Sequence, residues 1–249
     1  GSGVLRIGGS TTFPRLRVSA NACRIVVPAD YTLTSEILVE AGGSSTGLSN
    51  ADAGTFTIAP TGRISVTGSN TGLYLGSWWI TTPGMTVVNQ GVMEVSGTNA
   101  ILEYYNQSVF ALNAGTVTSG TYRTRNGGKF SFIQPPSVNA NQPTITAIGP
   151  GVVFDLEGNL NNFPAPFTGL STLQQVAGTL RVSGPDLAIT PQNGTLTNNG
   201  LVSTGPGTSL NITGAYQMGP TATHEATIVG STAAQYGTTV ISGNAGLDG

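Results

Sequence analysis

The sequence predicts an all-β fold, a parallel β-helix (β-solenoid) of roughly ten turns, and three observations support that prediction. Charged residues make up only 8 % of the 249 residues, and glycine occurs 36 times. Short runs alternate apolar and polar residues, a period of two that is typical of half-buried strands. Helical periodicity is nearly absent, and coiled coils or charged helical bundles need far more Glu, Lys and Leu. The alternative fold is a β-sandwich or a jelly-roll fibre domain.

The alternating runs define the predicted core. The residues between their apolar positions are often Thr, which suits a pleated surface because it is β-branched. Stacked rows of inward-facing side chains are therefore expected at Ile58, Ile64, Val66, Phe130, Phe132, Leu180, Val182, Leu210 and Ile212. Segments 170–176 and 224–236 are the best candidates for short helical turns.

Two short motifs recur at the starts of these runs. Gly-Thr-apolar begins at Gly54, Gly115, Gly178 and Gly194, and Asn-x-Gly begins at Asn89, Asn113 and Asn198. A coil of three short strands needs about 20–25 residues. Asn89 and Asn113 are separated by about one coil length. The separations between Gly54, Gly115 and Gly178 are close to a multiple of that length. The spacings therefore favour one β-solenoid domain over 1–249, in which 1–45 could form a distinct N-terminal cap or strand segment.

Composition argues against several classes of protein. A net charge of −2 offers no broad positive field to a nucleic acid. The single Cys and single His are too few for a Cys/His zinc cage, so we expect no cofactor, and His224 is expected to be an ordinary surface residue. No apolar run reaches the roughly 18 residues of a membrane span. The chain opens Gly1-Ser2-Gly3, without a basic or apolar stretch, which indicates a mature form, a fragment or a tagged chain.

The C-terminal third of the chain carries a resemblance to a known family. It contains Gly194-Thr195-Leu196-Thr197-Asn198-Asn199-Gly200-Leu201-Val202, then Asn211-Ile212-Thr213-Gly214-Ala215-Tyr216-Gln217. With segment 236–243, this pattern resembles the β-strand repeats of autotransporter passengers and related large secreted proteins of Gram-negative bacteria. The resemblance covers 170–249 well and 50–135 loosely. It implies a right-handed parallel β-helix at a cell surface or in an extracellular matrix, and it implies no catalytic residues.

Asp155 and Glu157 are the candidate catalytic residues. In their run, Phe154 and Leu156 point one way and both acids point the other, with backbones about 6.6 Å apart along the strand. This approaches the carboxyl separation of roughly 6.5–9.5 Å in inverting glycosidases. The alternative is a pair of solvated acids on an outer face, because the chain lacks the Asp, His, Arg and Lys signatures of pectin-degrading β-helix enzymes.

Two aromatic clusters are the candidate binding residues: Tyr74 with Trp78 and Trp79, and Tyr104 with Tyr105. Neighbouring strand residues face opposite sides, so one member of each adjacent pair is expected in the core and the other outside. An outward ring could stack on a sugar or contact a protein. The alternative is that these rings lie covered under a loop.

Four arginines, Arg6, Arg15, Arg17 and Arg24, make the N-terminal region basic. Arg15 and Arg17 share a face if a strand follows Pro14. Such a patch could dock an acidic neighbour or an anionic polysaccharide, and the alternative is a solvated sheet edge.

The sequence as a whole predicts a non-enzymatic extracellular structural or adhesive protein, a stiff rod or a filament or matrix subunit at a cell surface. One alternative is a carbohydrate-active β-helix enzyme, a glycoside hydrolase or lyase, that uses Asp155 and Glu157. Another is a phage or virion fibre domain. The expected partners are further copies of the chain or the continuation of a longer rod, and a polysaccharide or host surface. Self-association is expected because strand-like runs 4–7 and 238–243 lie near the ends, where exposed strand edges invite pairing.

Overall fold

A computed structural model describes residues 3–8, 13–19, 22–40, 46–76, 84–104, 109–131, 145–157, 169–184 and 186–247. In these ranges the protein is all-β, and its strands pair in parallel. Two isolated bridges, Asn113 to Thr116 and Ile228 to Tyr236, are antiparallel. The predicted all-β class is confirmed.

Helical structure is minimal in these ranges. Their one helical segment is a 3-10 turn at Ala233–Gln235, within the second of the two predicted helical stretches. The predicted helical turn at 170–176 is wrong, because a turn leads there into a short strand.

The described strands are short. In chain order they are β1 (Val4–Arg6), β2 (Arg15–Val18), β3 (Arg24–Val27), β4 (Thr32–Leu33), β5 (Glu36–Val39), β6 (Thr46–Asn50), β7 (Gly54–Ile58), β8 (Arg63–Thr67), β9 (Gly72–Leu75), β10 (Met85–Asn89), β11 (Val92–Ser96), β12 (Ile101–Tyr104), β13 (Val109–Phe110), β14 (Thr116–Val117), β15 (Thr121–Arg125), β16 (Lys129–Ser131), β17 (Ala147–Ile148), β18 (Val153–Glu157), β19 (Gln175–Val176), β20 (Thr179–Ser183), β21 (Leu187–Ile189), β22 (Thr195–Asn198), β23 (Leu201–Thr204), β24 (Ser209–Ile212), β25 (Ala215–Met218), β26 (Thr223–Ala226), β27 (Thr238–Ile241) and β28 (Ala245–Leu247).

The chain divides into two compact units. The first comprises Gly1–Ala111 with Arg123–Gln142, and the second comprises Leu112–Tyr122 with Pro143–Gly249. The expectation of one continuous domain stays a prediction.

In the first unit, strands that pair are usually three apart in chain order. The orders are β1-β3-β6-β9-β12-β16, β4-β7-β10-β13 and β2-β5-β8-β11. Glu36 of β5 pairs with Arg63 of β8, and Arg63 pairs with Val92 of β11. In most cases, therefore, two strands that belong to other sheets separate two paired strands in the chain.

The second unit follows the same rule with less even intervals. Its orders are β14-β17-β19-β22-β25-β28, β18-β20-β23-β26 and β21-β24-β27. Ser209 pairs with Thr238, 29 residues later, whereas Leu196 pairs with Tyr216 after a shorter interval. The predicted period of about 20–25 residues therefore holds for only part of the chain, because turns of different length separate strands that keep their register.

The core consists of in-register rows of apolar side chains. On one sheet of the first unit, Ile64 lies between Ile37 and Met93, and all three are fully buried. The predicted core residues that the structure describes are all buried: Ile58, Ile64, Val66, Phe130, Leu180, Val182, Leu210 and Ile212. Phe132 lies outside the described residues. Parallel pairing thus places apolar side chains of successive strands next to each other and buries whole rows of them. Burial of apolar surface is the main favourable contribution to folding.

The recurring Asn-x-Gly motif forms a specific turn. Asn89 Oδ1 accepts the N–H of Gly91, and Asn198 Oδ1 accepts the N–H of Gly200, at 3.0 Å each. A side chain at Gly91 would overlap the carbonyl oxygen of Gly62 in the neighbouring turn, so the close approach of these turns requires glycine. The third instance differs, because Asn113 and Thr116 exchange backbone hydrogen bonds with each other.

Candidate functional site

The two acids of the predicted catalytic pair both face outward from β18. Phe154 and Leu156 are buried, while Asp155 is half-buried and Glu157 is exposed. On the neighbouring strand β20, Arg181 is in register with Asp155 and Ser183 with Glu157. An opposite charge directly across two strands stabilises a sheet. This placement fits the alternative of a structural outer face.

The predicted aromatic binding residues are mostly buried or outside the described chain. Trp78, Trp79 and Tyr105 lie outside the described residues. Tyr104 is the inward member of its pair, with 1 % of its surface exposed and its hydroxyl 3.7 Å from Met93 Sδ, so its ring is not presented to a ligand.

Tyr74 is the aromatic candidate that lies at the described surface. It is half-buried and faces outward, because Leu73 and Leu75 on either side of it are fully buried. The sequence indicated Tyr74 as a candidate without predicting its orientation, and its role in binding stays a prediction.

A carboxyl that the sequence did not single out lies beside Tyr74. Glu103 of β12 is in register with Tyr74 of β9, which is in register with Gly47 of β6. Side chains in such positions stand about 4.8 Å apart on one face. A Cβ added at Gly47 would meet only one atom, Gly76 O at 3.9 Å. We call Gly47, Tyr74 and Glu103 the Tyr74 face.

Burial changes the chemistry of the carboxyl on the Tyr74 face. Loss of water around Glu103 raises its pKa from 4.5 to about 7. A carboxyl that is part protonated near neutral pH can both donate and accept hydrogen bonds. Alternation in the run 101–104 indicates that Glu103 faces outward, but only the register of β12 on β9 places it beside Tyr74.

Two of the four N-terminal arginines form ion pairs with acids of neighbouring strands. β2 begins directly after Pro14, and Arg15 and Arg17 share its exposed face, as predicted. Arg15 Nε lies 2.6 Å from Glu36 Oε2, and Arg17 Nε pairs with Glu40. Sheet pairing brings these acids to the arginines from 21 and 23 residues away. The exposed, ion-paired side chains of Arg15 and Arg17 fit the alternative of a solvated sheet edge. Arg24 donates to Ser49 Oγ at 3.3 Å.

His224 is not the ordinary surface residue that the sequence predicted. It is half-buried, with Nδ1 2.8 Å from Tyr216 Oη and Nε2 2.9 Å from Thr239 Oγ1. Burial lowers the pKa of His224 below its usual value of 6.5. Burial also raises the pKa of Tyr216 to about 12, despite a hydrogen bond from Asn198 that lowers it.

These three residues form one layer of the second unit's interior, which we call the polar layer. Tyr216, His224 and Thr239 are in register with Leu196, Val202 and Leu210 of the preceding layer, one on each of three sheets. That preceding layer is fully buried and apolar. The interior thus changes from apolar to polar within one strand spacing, with its hydroxyl and imidazole groups hydrogen-bonded to each other.

In the described residues, no three His, Cys, Asp or Glu side chains come together as a metal site. The same part of the chain contains no helix long and apolar enough to cross a membrane. No protein-family model matches the chain, and comparison with curated proteins and with solved structures finds no match either. The resemblance to autotransporter passengers stays a prediction.

Proposed function

We propose that this chain is a non-enzymatic extracellular structural or adhesive protein whose scaffold is a parallel β-helix. One observation carries the proposal: strands three apart pair in parallel, and their inward side chains form continuous buried rows. In solenoid proteins each added coil brings its own backbone hydrogen bonds and its own core layer. Such a scaffold holds surfaces at a distance and needs no active site.

The composition of the outer surface supports this proposal. Outward positions on the strands are often Thr, Ser and Asn, as at Thr55 and Thr57 of β7, Asn211 of β24 and Ser203 of β23. With 8 % charged residues, two such surfaces repel each other little at close approach. A location at a cell surface, as in autotransporter-like proteins, belongs to the same proposal.

Antibody labelling of intact cells of the encoding organism tests this proposal. We expect labelling without permeabilisation, and loss of the label after mild protease treatment of the intact cells. A cytoplasmic protein serves as the control for cell integrity. Labelling that appears only after permeabilisation would contradict an extracellular role.

An adhesive role would use the Tyr74 face, with a neutral glycan as the ligand. The specific observation is an outward tyrosine between a half-buried carboxyl and a glycine, which has no side chain of its own to cover the ring. A pyranose ring stacks on an aromatic face, and a carboxyl accepts hydrogen bonds from its hydroxyls. A glycan array probed with the wild-type chain tests this role, and Tyr74→Ala should abolish any signal that Tyr74→Phe keeps. A signal unchanged in Tyr74→Ala would exclude this face.

Self-association also belongs to the proposal. Large apolar side chains are exposed on β1, β27 and β28, at Val4, Leu5, Val240 and Leu247. Exposed apolar strands of this kind favour pairing with another chain. Sedimentation velocity over a concentration series should show larger species, and Val240→Lys should reduce them. A monomer at all concentrations would contradict self-association and leave the scaffold proposal standing.

A further inference from the structure

The hydrogen bonds of the polar layer fix where its protons lie. Asn198 Oδ1 accepts from Gly200 N, so the amide nitrogen of Asn198 is the group that donates to Tyr216 Oη, at 3.1 Å. Tyr216 is 2 % exposed, and a buried hydroxyl proton needs an acceptor. His224 Nδ1, at 2.8 Å, is that acceptor. The imidazole proton then lies on Nε2 and is donated to Thr239 Oγ1.

These hydrogen bonds can all form only when the imidazole of His224 is neutral. A second proton on His224 would lie on Nδ1 and point at Tyr216 Oη, which already accepts from Asn198. The hydroxyl proton of the buried Tyr216 would then have no acceptor. Leaving a buried donor unsatisfied costs more free energy than a typical hydrogen bond contributes to stability. Because Nε2 carries the proton and donates it to Thr239 Oγ1, His224 does not act as a base toward Thr239.

No charge on the described strands around His224 compensates an imidazolium. The groups that face His224 are Asn198 of β22, Val202 of β23, Tyr216 of β25 and Thr239 of β27. Strands β22 to β25, β27 and β28 contain no Asp, Glu, Lys or Arg. Glu225 follows His224 on β26 and points to the opposite, exposed side. Tyr216 is the titratable group among these neighbours, and it stays neutral through the acid range.

We propose that the polar layer is an acid-sensitive contact, and that protonation of His224 opens β26 and β27 from the rest of the second unit. The two strands hold few buried side chains of their own: β26 has exposed or half-buried residues throughout, and so does β27. Backbone pairing holds β26 on β23 and β27 on β24. The side-chain contact of His224 with Tyr216 links β26 to the buried part of the unit, and its contact with Thr239 links β26 to β27. The proposal does not depend on the extracellular role.

The sign of the pH effect follows from the lowered pKa of His224. The opened or unfolded chain, with the usual value of about 6.5, binds a proton more readily than the native chain. Stability of the contact is therefore complete above pH about 6.5 and is lost as pH falls through that value toward the lower native pKa. Below the native pKa the loss is complete and constant.

Native-state hydrogen exchange tests the proposal on the intact chain. Protection factors of β26 and β27 amides are compared at pH 8 and pH 5 with those of β18 and β20 in the same unit. We expect a several-fold selective fall in β26 and β27 at pH 5, absent in His224→Gln, which hydrogen-bonds without titrating. An equal change in all four strands, or the same fall in His224→Gln, would overturn the proposal.

A second measurement keeps the test independent of whether the variant folds. His224 is the single histidine of the chain, so its imidazole signals in the wild-type protein need no mutant for assignment. Nitrogen-15 shifts should show the proton on Nε2 at pH 8, and the ring should titrate below 6.5 together with the loss of amide protection. A proton on Nδ1, or titration at or above 6.5, would also overturn the proposal.

Discussion

Phe154 and Tyr122 stack in the core of the second unit, with ring centroids 4.7 Å apart and planes inclined by 15°. Both rings are buried. Phe154 is in register with Leu180 on β20, and Leu180 with Val202 on β23, so the aromatic pair begins a row of aliphatic side chains. A hole at Phe154 would expose both the ring of Tyr122 and the end of that row.

Phe154→Ala should therefore lower the free energy of unfolding by about 3–5 kcal/mol. The loss combines transfer of the ring with the cavity that remains, because a sheet held by parallel hydrogen bonds cannot collapse around it. Thermal and urea denaturation followed by circular dichroism measure the change. Ser183→Ala, an outward change on β20, serves as the control, and an equal loss in both variants would contradict the assigned core.

Replacement of a glycine in a turn should be costly where the neighbouring turn is close. A methyl group at Gly91 would overlap Gly62 O and Ala59 O, both backbone atoms. Gly91→Ala should destabilise the chain by about 1–3 kcal/mol or more, the usual cost of overpacking. Gly47→Ala is the matched control, because its nearest contact would be 3.9 Å. Similar melting temperatures for the two variants would contradict the close approach of the turns.

The core was predictable from the sequence because it depends on local alternation, whereas the sites depend on register. The alternating pattern of one short run is enough to predict that Ile64 and Val66 are buried. Glu103 meets Tyr74 only because β12 pairs with β9 in one particular register, and the interval between paired positions there is longer than that between Leu196 and Tyr216. The number of residues between two paired positions depends on the length of the intervening turns. That length varies, so no local sequence pattern predicts which residues become neighbours.

The same reasoning explains the error at His224. In the sequence it adjoins Glu225 in a polar stretch, and polar stretches usually lie at the surface. Its partners Tyr216 and Thr239 are 8 and 15 residues away on different sheets, and a polar layer inside a core breaks the apolar pattern used to recognise that core. The available signal was that neighbouring residues of a strand face opposite sides, so an outward Glu225 implies an inward His224.

Arg63 should contribute modestly to stability through a small network of charges. Its Nη2 lies 2.9 Å from Glu94 Oε2, its Nε lies 3.7 Å from Glu36 Oε1, and its side chain is 39 % exposed. Arg63→Met, which keeps the aliphatic stem, should cost about 0.2–1 kcal/mol, and less at high salt because of screening. Urea titrations at low and high ionic strength measure this. Arg15→Met, at a more exposed arginine with one acid partner, should cost less, and the reverse order would contradict the network.

Glu103 should make the first unit less stable as pH rises. Its native pKa is raised to about 7, so the native state holds the proton more tightly than the unfolded state, whose value is 4.5. Its contribution to stability is therefore fully present below pH 4.5 and is lost as pH rises from there through about 7. Glu103→Gln removes this dependence and should be more stable than the wild type at pH 8 but not at pH 4.

Urea denaturation across that pH range measures the effect of Glu103. A stability difference between Glu103→Gln and the wild type that stays constant from pH 4 to pH 8 would contradict the burial of Glu103.

Replacement of both outward acids of β18 distinguishes the structural role from the enzymatic alternative. Asp155 and Glu157 lie on an outer strand face, with Arg181 and Ser183 in register beside them. Asp155→Ala/Glu157→Ala should leave the fold intact and change stability by less than about 1 kcal/mol, as for exposed charge pairs. Wild-type and double-variant chains are incubated with a panel of plant and bacterial polysaccharides, and reducing ends and unsaturated products are measured. We expect no turnover by either chain, and turnover by the wild type that the double variant lacks would establish the enzyme in place of the structural protein.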